Sequence, residues 1–216
     1  MSASTVLPAS GLPLVTLDEP RAMAAARVLA RAFQEDPVML HLLPDPAARA
    51  KALPHLFRPV VRYGMRRGRV QAAADGGAIA VWVDPTGVPV PLSAMLRLGM
   101  AAWPFRLGGG PFVRAMRVMD GMDRVHGRHA DGAHAYLWAM GVEPHRQGKG
   151  LGSALLSVGL SDLNARGLPC YLETFQPRNV PLYERFGFRV VDEVANVGGG
   201  PRMWSMRREP PGPSAR

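Results

Sequence analysis

A mixed α/β fold is predicted by three features of this sequence. Residues 69–74 and 78–83 are apolar-rich segments of strand length flanking Asp75-Gly76-Gly77, a link able to take positive φ and close a β-hairpin. An apolar strand at residues 135–142, an amphipathic helical stretch at 150–166 and a second strand at 170–175 then form a β-α-β unit. With 216 residues at 47% apolar composition, the chain can bury one substantial core, so a single domain is expected over residues 13–208. Residues 1–12 and 209–216, rich in Ser, Pro and Gly, are expected as flexible tails.

In chain order, Leu14-Val15-Thr16-Leu17 reads as a short strand. Asp18 and Pro20 then start a helix whose apolar face is Met23, Val28, Leu29 and Phe33, ending before Asp36-Pro37. A second helical stretch at 47–67 contains Pro54 and Pro59 and is expected to be kinked or broken there. After the hairpin, residues 92–103 and 112–125 read as two helices separated by Gly108-Gly109-Gly110. Met95, Met100, Met116, Met119 and Met122 fall in this region and are read as core packing rather than as a pocket lining. Gly167 and Pro169 stop the helix of the β-α-β unit. A short helix at 180–186 follows, then strands at 188–194 and 202–207 joined across Gly198-Gly199-Gly200-Pro201.

Composition excludes several function classes. No apolar run approaches the ~18 residues of a membrane span, and the N-terminus lacks a secretory pattern, so a cytoplasmic protein without membrane contact is expected. Cys170 is the only cysteine and is read as an inert buried thiol. The net charge of +9 does not point to nucleic acid, because Lys51 and Lys149 are the only lysines and the arginines are scattered without a basic stripe. His126, His129 and His134 are read as solvated, and no metal is expected.

Chemistry concentrates in Val142-Glu143-Pro144-His145-Arg146-Gln147-Gly148-Lys149-Gly150-Leu151-Gly152-Ser153, between a strand and a helix. Glycines at 148, 150 and 152 let backbone N–H groups approach a ligand, and the helix N-terminus adds unpaired donors suited to a pyrophosphate. A dinucleotide fingerprint needs a different glycine spacing, and a nucleoside-triphosphate loop needs Lys followed at once by Ser or Thr, whereas Lys149 precedes Gly150.

The remaining pattern, Gln147, Gly150 and Gly152, resembles motif A of the GCN5-related N-acetyltransferase (GNAT) family. Leu172-Glu173-Thr174, Pro177-Arg178-Asn179 and Leu182-Tyr183-Glu184-Arg185-Phe186-Gly187-Phe188 resemble the family's fifth strand and the helix beyond it. Residues 135–207 are most similar to its puromycin N-acetyltransferase-like members, while 86–130 do not follow them. The resemblance implies a mostly antiparallel mixed sheet, flanked by helices and splayed between its fourth and fifth strands where acetyl-coenzyme A (acetyl-CoA) enters. It implies cofactor contacts from Met140, Gly141, Val142, Gln147, Gly148, Lys149, Gly150, Leu151, Gly152, Ser153, Asn179 and Tyr183.

Within that resemblance the Val142 N–H faces the acetyl carbonyl, and Tyr183 is the general acid for the departing thiolate. Tyr183 also reads as a buried core tyrosine, and Asn179 as a helix N-cap. Glu173, sharing a strand face with Tyr171 and Phe175, is the candidate base; burial would raise its pKa, and a structural pair with Arg178 is the alternative. The expected reaction is N-acetylation of an amine, with a small-molecule acceptor first and a peptide amine second. A non-catalytic acyl-CoA sensor is the rival. Oligomeric state stays open, a homodimer being the commonest symmetric assembly.

Overall fold

The computed structural model describes residues 5, 6, 14–129 and 131–211. The expected N-terminal tail lies outside the described residues apart from Thr5–Val6, a two-residue strand, and residues 212–216 of the C-terminal tail also lie outside them. Seven further strands are β1 (Leu14–Thr16), β2 (Gly68–Ala73), β3 (Ala78–Val83), β4 (Ala135–Val142), β5 (Cys170–Thr174), β6 (Arg189–Val194) and β7 (Met203–Arg208). With Thr5–Val6 on the outside of β1, they form one sheet ordered β1-β2-β3-β4-β5-β7-β6. Every neighbouring pair is antiparallel except β4 with β5. The crossover between that pair carries α7 (Leu151–Ala165), as parallel strands require.

Sequence alternation sorts the strands' side chains onto two helical layers. Ile79, Val81 and Val83 of β3 join the core under α1 (Ala22–Ala32) and α3 (Pro46–Arg67), while Ala78, Ala80 and Trp82 join the core under α7. All six residues of β3 are buried, which is why this strand reads as a continuous apolar run.

α3 corrects the expectation of a break. It is one helix of 22 residues running through Pro54 and Pro59, started by Asp45, whose carboxylate accepts from the Ala48 N–H at 2.7 Å. An interior proline costs about 3 kcal/mol or more. Burial of Leu53, Leu56, Phe57 and Val61, at roughly 1.5–3 kcal/mol each, outweighs both prolines. Asp36-Pro37, expected only as a stop, also starts α2 (Pro37–Leu42), with the Asp36 side chain accepting from the Val38 N–H at 3.0 Å.

The middle region holds three helices rather than two: α4 (Leu92–Leu98), α5 (Trp103–Leu107) and α6 (Gly109–His129). Of the three glycines expected to separate the helices, only Gly108, at φ +80°, does so, ending α5; Gly109 and Gly110 enter the first turn of α6. α6 also runs past the expected end at Val125 and carries His126 and His129 in its last turn.

α7 lies close on β3. A Cβ on Gly159 would come within 2.1 Å of the Trp82 ring, which is itself buried. Gly159→Ala is therefore expected to destabilise the fold by about 1–3 kcal/mol, because an indole fixed between helix and sheet cannot retreat. Thermal unfolding would show this as a Tm lowered by roughly 3–10 °C. An unchanged Tm would refute the contact.

Candidate active site

The functional groups are arranged by an opening in the sheet. β4 and β5 pair only at Ala135–Cys170 and Tyr136–Tyr171, although β4 continues to Val142. A register shift against β3 between Val81 and Trp82 leaves Trp138 as an extra residue of β4 and bends the strand at that point. Beyond it the Glu143 N–H donates to the Gly77 carbonyl on the β3 side at 2.9 Å. By strand alternation, the N–H groups of Met140 and Val142 point the other way, into the opening.

At the mouth of the opening lies the glycine-rich loop. Gly148 and Gly150 stand at φ +76° and +80°, and Gly150 is the N-cap of α7 with no side-chain cap. The first intrahelical bond of α7 runs from Ala154 to Gly150, so the N–H groups of Leu151, Gly152 and Ser153 have no partner within the helix. Gln147 holds the loop to the strand end through its side-chain amide, which donates to the Val142 carbonyl at 3.2 Å. Two ion pairs buttress the segment from behind: Arg31 with Glu143, and Arg146 with Asp75 of the β2–β3 turn. Arg31 holds the Glu143 carboxyl below its ordinary range.

A single cavity of about 1220 Å³ joins this loop to the far side of the opening. Met140, Gly141, Val142, Gln147, Gly148, Gly150, Leu151, Gly152, Ser153, Asn179, Tyr183 and Glu173 all line it. Lys149 does not, and it is exposed. Tyr183, on α8 (Val180–Glu184), is buried and packs edge-on to Phe188 at 5.9 Å. Burial, followed by the charge of Asp36, raises its phenol above the ordinary value, so the hydroxyl keeps its proton. Asn179 occupies the N-cap position of α8, but its side chain makes no capping bond.

Glu173 sits on the expected aromatic face, with its side chain only 2% exposed. Its partner is not Arg178. Oε2 accepts from the Tyr136 hydroxyl at 2.7 Å, while Oε1 is buried without a hydrogen bond and lies 3.5 Å from His126 Nδ1. The solvated reading of the histidines is overturned. His126 is wedged against Tyr171 at 4.3 Å and Tyr136 at 4.9 Å between ring centroids, and its Nε2 meets His134 Nε2 at 2.9 Å. His134 is buried, and desolvation lowers its pKa. His129 pairs with Asp192 at 2.7 Å. The signal that would have found these partners is helical spacing: α6 continues through residue 126, which places His126 on the face carrying Met116, Met119 and Asp123.

The methionines divide in a way the core-packing reading missed. Met100 is buried away from the cavity, whereas Met95, itself buried, and Met116, Met119 and Met122, only partly covered, line the cavity with Met39. Cys170 is fully buried and its thiol is pushed up to about 12 by desolvation, which removes it as a nucleophile. Among the described residues no cluster of three or more His, Cys, Asp or Glu has the geometry to hold a metal, and no helix is long and apolar enough to cross a membrane.

Comparisons with known proteins agree with this geometry. Residues 112–188 match the family model of the Acetyltransferase (GNAT) family, a span that begins inside α6 and ends before β6. An uncharacterized N-acetyltransferase of Schizosaccharomyces pombe is 28% identical over 170 residues, covering 76% of this chain and 69% of that protein. The mycothiol acetyltransferase of Clavibacter michiganensis is 41% identical over 76 residues, covering 32% of this chain but only a quarter (25%) of that protein. In three dimensions the chain superposes on the histone acetyltransferase HPA2 and related acetyltransferase of Corynebacterium glutamicum with a TM-score of 0.64. That match is at 21% identity and covers 94% of this chain and 98% of that one.

Proposed function

We propose that this chain, which carries the acetyltransferase domain of the GNAT family, moves the acetyl group of acetyl-CoA to the amine of a small molecule by direct attack in a ternary complex. The observation that carries the reading is the continuity of one cavity from the unpaired loop N–H groups, along the free edge of β4, to Glu173 and Tyr183. The donor set fits acetyl-CoA: free N–H groups at a helix N-terminus suit a pyrophosphate, and an unpaired strand edge suits the amides of a pantetheine arm.

In this reading Gln147, Gly148, Lys149, Gly150, Leu151, Gly152 and Ser153 hold the pyrophosphate end, with Lys149 contributing charge from outside the loop. Met140, Gly141 and Asn179 align the arm. The Val142 N–H donates to the acetyl oxygen as it gains negative charge. Glu173, with one carboxylate oxygen fixed by Tyr136 and the other free, takes the proton of the acceptor ammonium directly or through water. Tyr183, kept protonated by its surroundings, returns a proton to the leaving thiolate.

The test is calorimetric titration with acetyl-CoA, followed by thiol release across a panel of amines. Saturable binding with amine-dependent release is expected, and Glu173→Gln is expected to lower kcat/KM about 100-fold while acetyl-CoA still binds. Binding without release from any amine would favour a non-catalytic acyl-CoA sensor. Absence of binding would sink the proposal.

A further inference from the structure

The acceptor end of the cavity is built from two unlike parts. Its charged groups gather around the reacting end. Asp123 stands one turn before His126 on α6 and lines the cavity with Glu173, whose Oε1 lies 3.5 Å from His126 Nδ1, and Asp36 lines it with Tyr183; desolvation and then the charge of Glu173 raise the Asp123 carboxyl. Asp120, one turn before Asp123, also lines the cavity but is paired with Arg124 at 2.6 Å. Arg146, Arg178 and Arg185 line the cavity on the side of the glycine-rich loop and α8, and the wall opposite them carries no charge. Every lining residue contributed by α2, α3, α4, α5 and the segment between β3 and α4 is apolar. Trp103 and Met95 form part of that wall, Met39, Met116 and Met119 reach it only partly covered, and Trp138 approaches from the bulge of β4.

Partly covered methionines and tryptophans around an open volume form an apolar surface left for a ligand to complete, and thioether side chains adapt to aromatic and branched shapes. One ammonium is well served beside Asp123 and Glu173. A second charge, or a run of peptide groups, would lie against methionine and indole with no partner and would lose its hydration without return.

Resting on the transferase reading above, we propose that the acceptor is a primary amine with a bulky apolar body and no second charge, an arylalkyl or alkyl monoamine. Polyamines, guanidinoalkyl amines and peptide N-termini are poor acceptors. The ammonium sits among Asp123, Glu173 and His126, and the body fills the chamber between α6 and the helices opposite.

The most direct test compares hexylamine with 1,6-diaminohexane, which share length and reacting end and differ by one distal ammonium; 2-phenylethylamine, spermidine and a dipeptide amide complete the panel. Initial rates of thiol release are expected to give hexylamine and 2-phenylethylamine a kcat/KM about 100-fold above the diamine, spermidine and dipeptide. Tryptophan fluorescence, reporting on Trp103 and Trp138, measures acceptor binding without turnover and is expected to rank the amines in the same order. Met119→Glu, which puts a carboxylate on the chamber wall, is expected to shift the hexylamine-to-diamine preference at least about ten-fold toward the diamine. Equal or better use of the diamine by the wild-type protein overturns this inference and leaves the transferase standing. Acetyl-CoA binding with no thiol release from any amine overturns the transferase reading and this inference with it. If Met119→Glu does not fold, seen as loss of acetyl-CoA binding, the wild-type comparison still decides.

Discussion

Tyr183→Phe is expected to lower kcat by about 100-fold or more while leaving acetyl-CoA affinity within roughly two-fold, since removing a positioned proton donor typically costs 10²–10⁴ in rate. The substitution deletes one oxygen from a ring whose packing against Phe188 is unaltered, so the fold and the cavity shape should persist. What disappears is a hydroxyl that burial and Asp36 together keep protonated at neutral pH. Thiol release at saturating acetyl-CoA and amine gives kcat, and calorimetry gives the affinity. A variant with normal turnover would reduce Tyr183 to a packing residue and leave the leaving thiolate to be protonated by water.

Gly150→Val is expected to weaken acetyl-CoA binding by ten-fold or more. Gly150 stands at φ +80° as the N-cap of α7, a conformation that a β-branched residue reaches only at a cost of about 1–3 kcal/mol. Apart from its chain neighbours, no protein atom lies within 4 Å of where its Cβ would stand, so the Cβ itself meets open space. The damage falls on the backbone that aims the Leu151, Gly152 and Ser153 N–H groups. This contrasts with Gly159, where φ is ordinary and the Trp82 ring is the obstacle. Gly159→Ala should therefore move Tm, whereas Gly150→Val should chiefly move the dissociation constant for acetyl-CoA. Equal affinities for Gly150→Val and the wild-type protein would mean that the loop amides do not hold the ligand.

Local chemistry by itself determined a good deal of this protein. The β2–β3 hairpin, β4, the glycine loop, α7 and β5 lie within two residues of where the chain alone places them. Each is set by interactions between near neighbours: a positive-φ turn, an apolar strand, a helix starting where glycine frees its amides and stopping at Gly167. The same short-range character made the glycine-rich loop legible, because the positive φ of Gly148 and Gly150 and the helix start at Gly150 are set by the spacing of the glycines themselves.

Only the tertiary structure decided the features that depend on distant partners. Pro54 and Pro59 forbid a helix locally, yet α3 continues through them because Leu53, Phe57 and Val61 are buried against the sheet and α1. His126 and His134 are polar residues in polar surroundings along the chain. Folding brings them against Tyr136, Tyr171 and Glu173, from strands up to 47 positions away, and turns solvated side chains into a packed cluster. Met116 and Met100 are equivalent as sequence, but the placement of α6 across the opening of the sheet leaves Met116 facing the cavity, whereas Met100 is buried away from it. Short-range conformational preference is written residue by residue, whereas burial and pairing depend on which surfaces meet, and that is settled only when the helices close over the sheet.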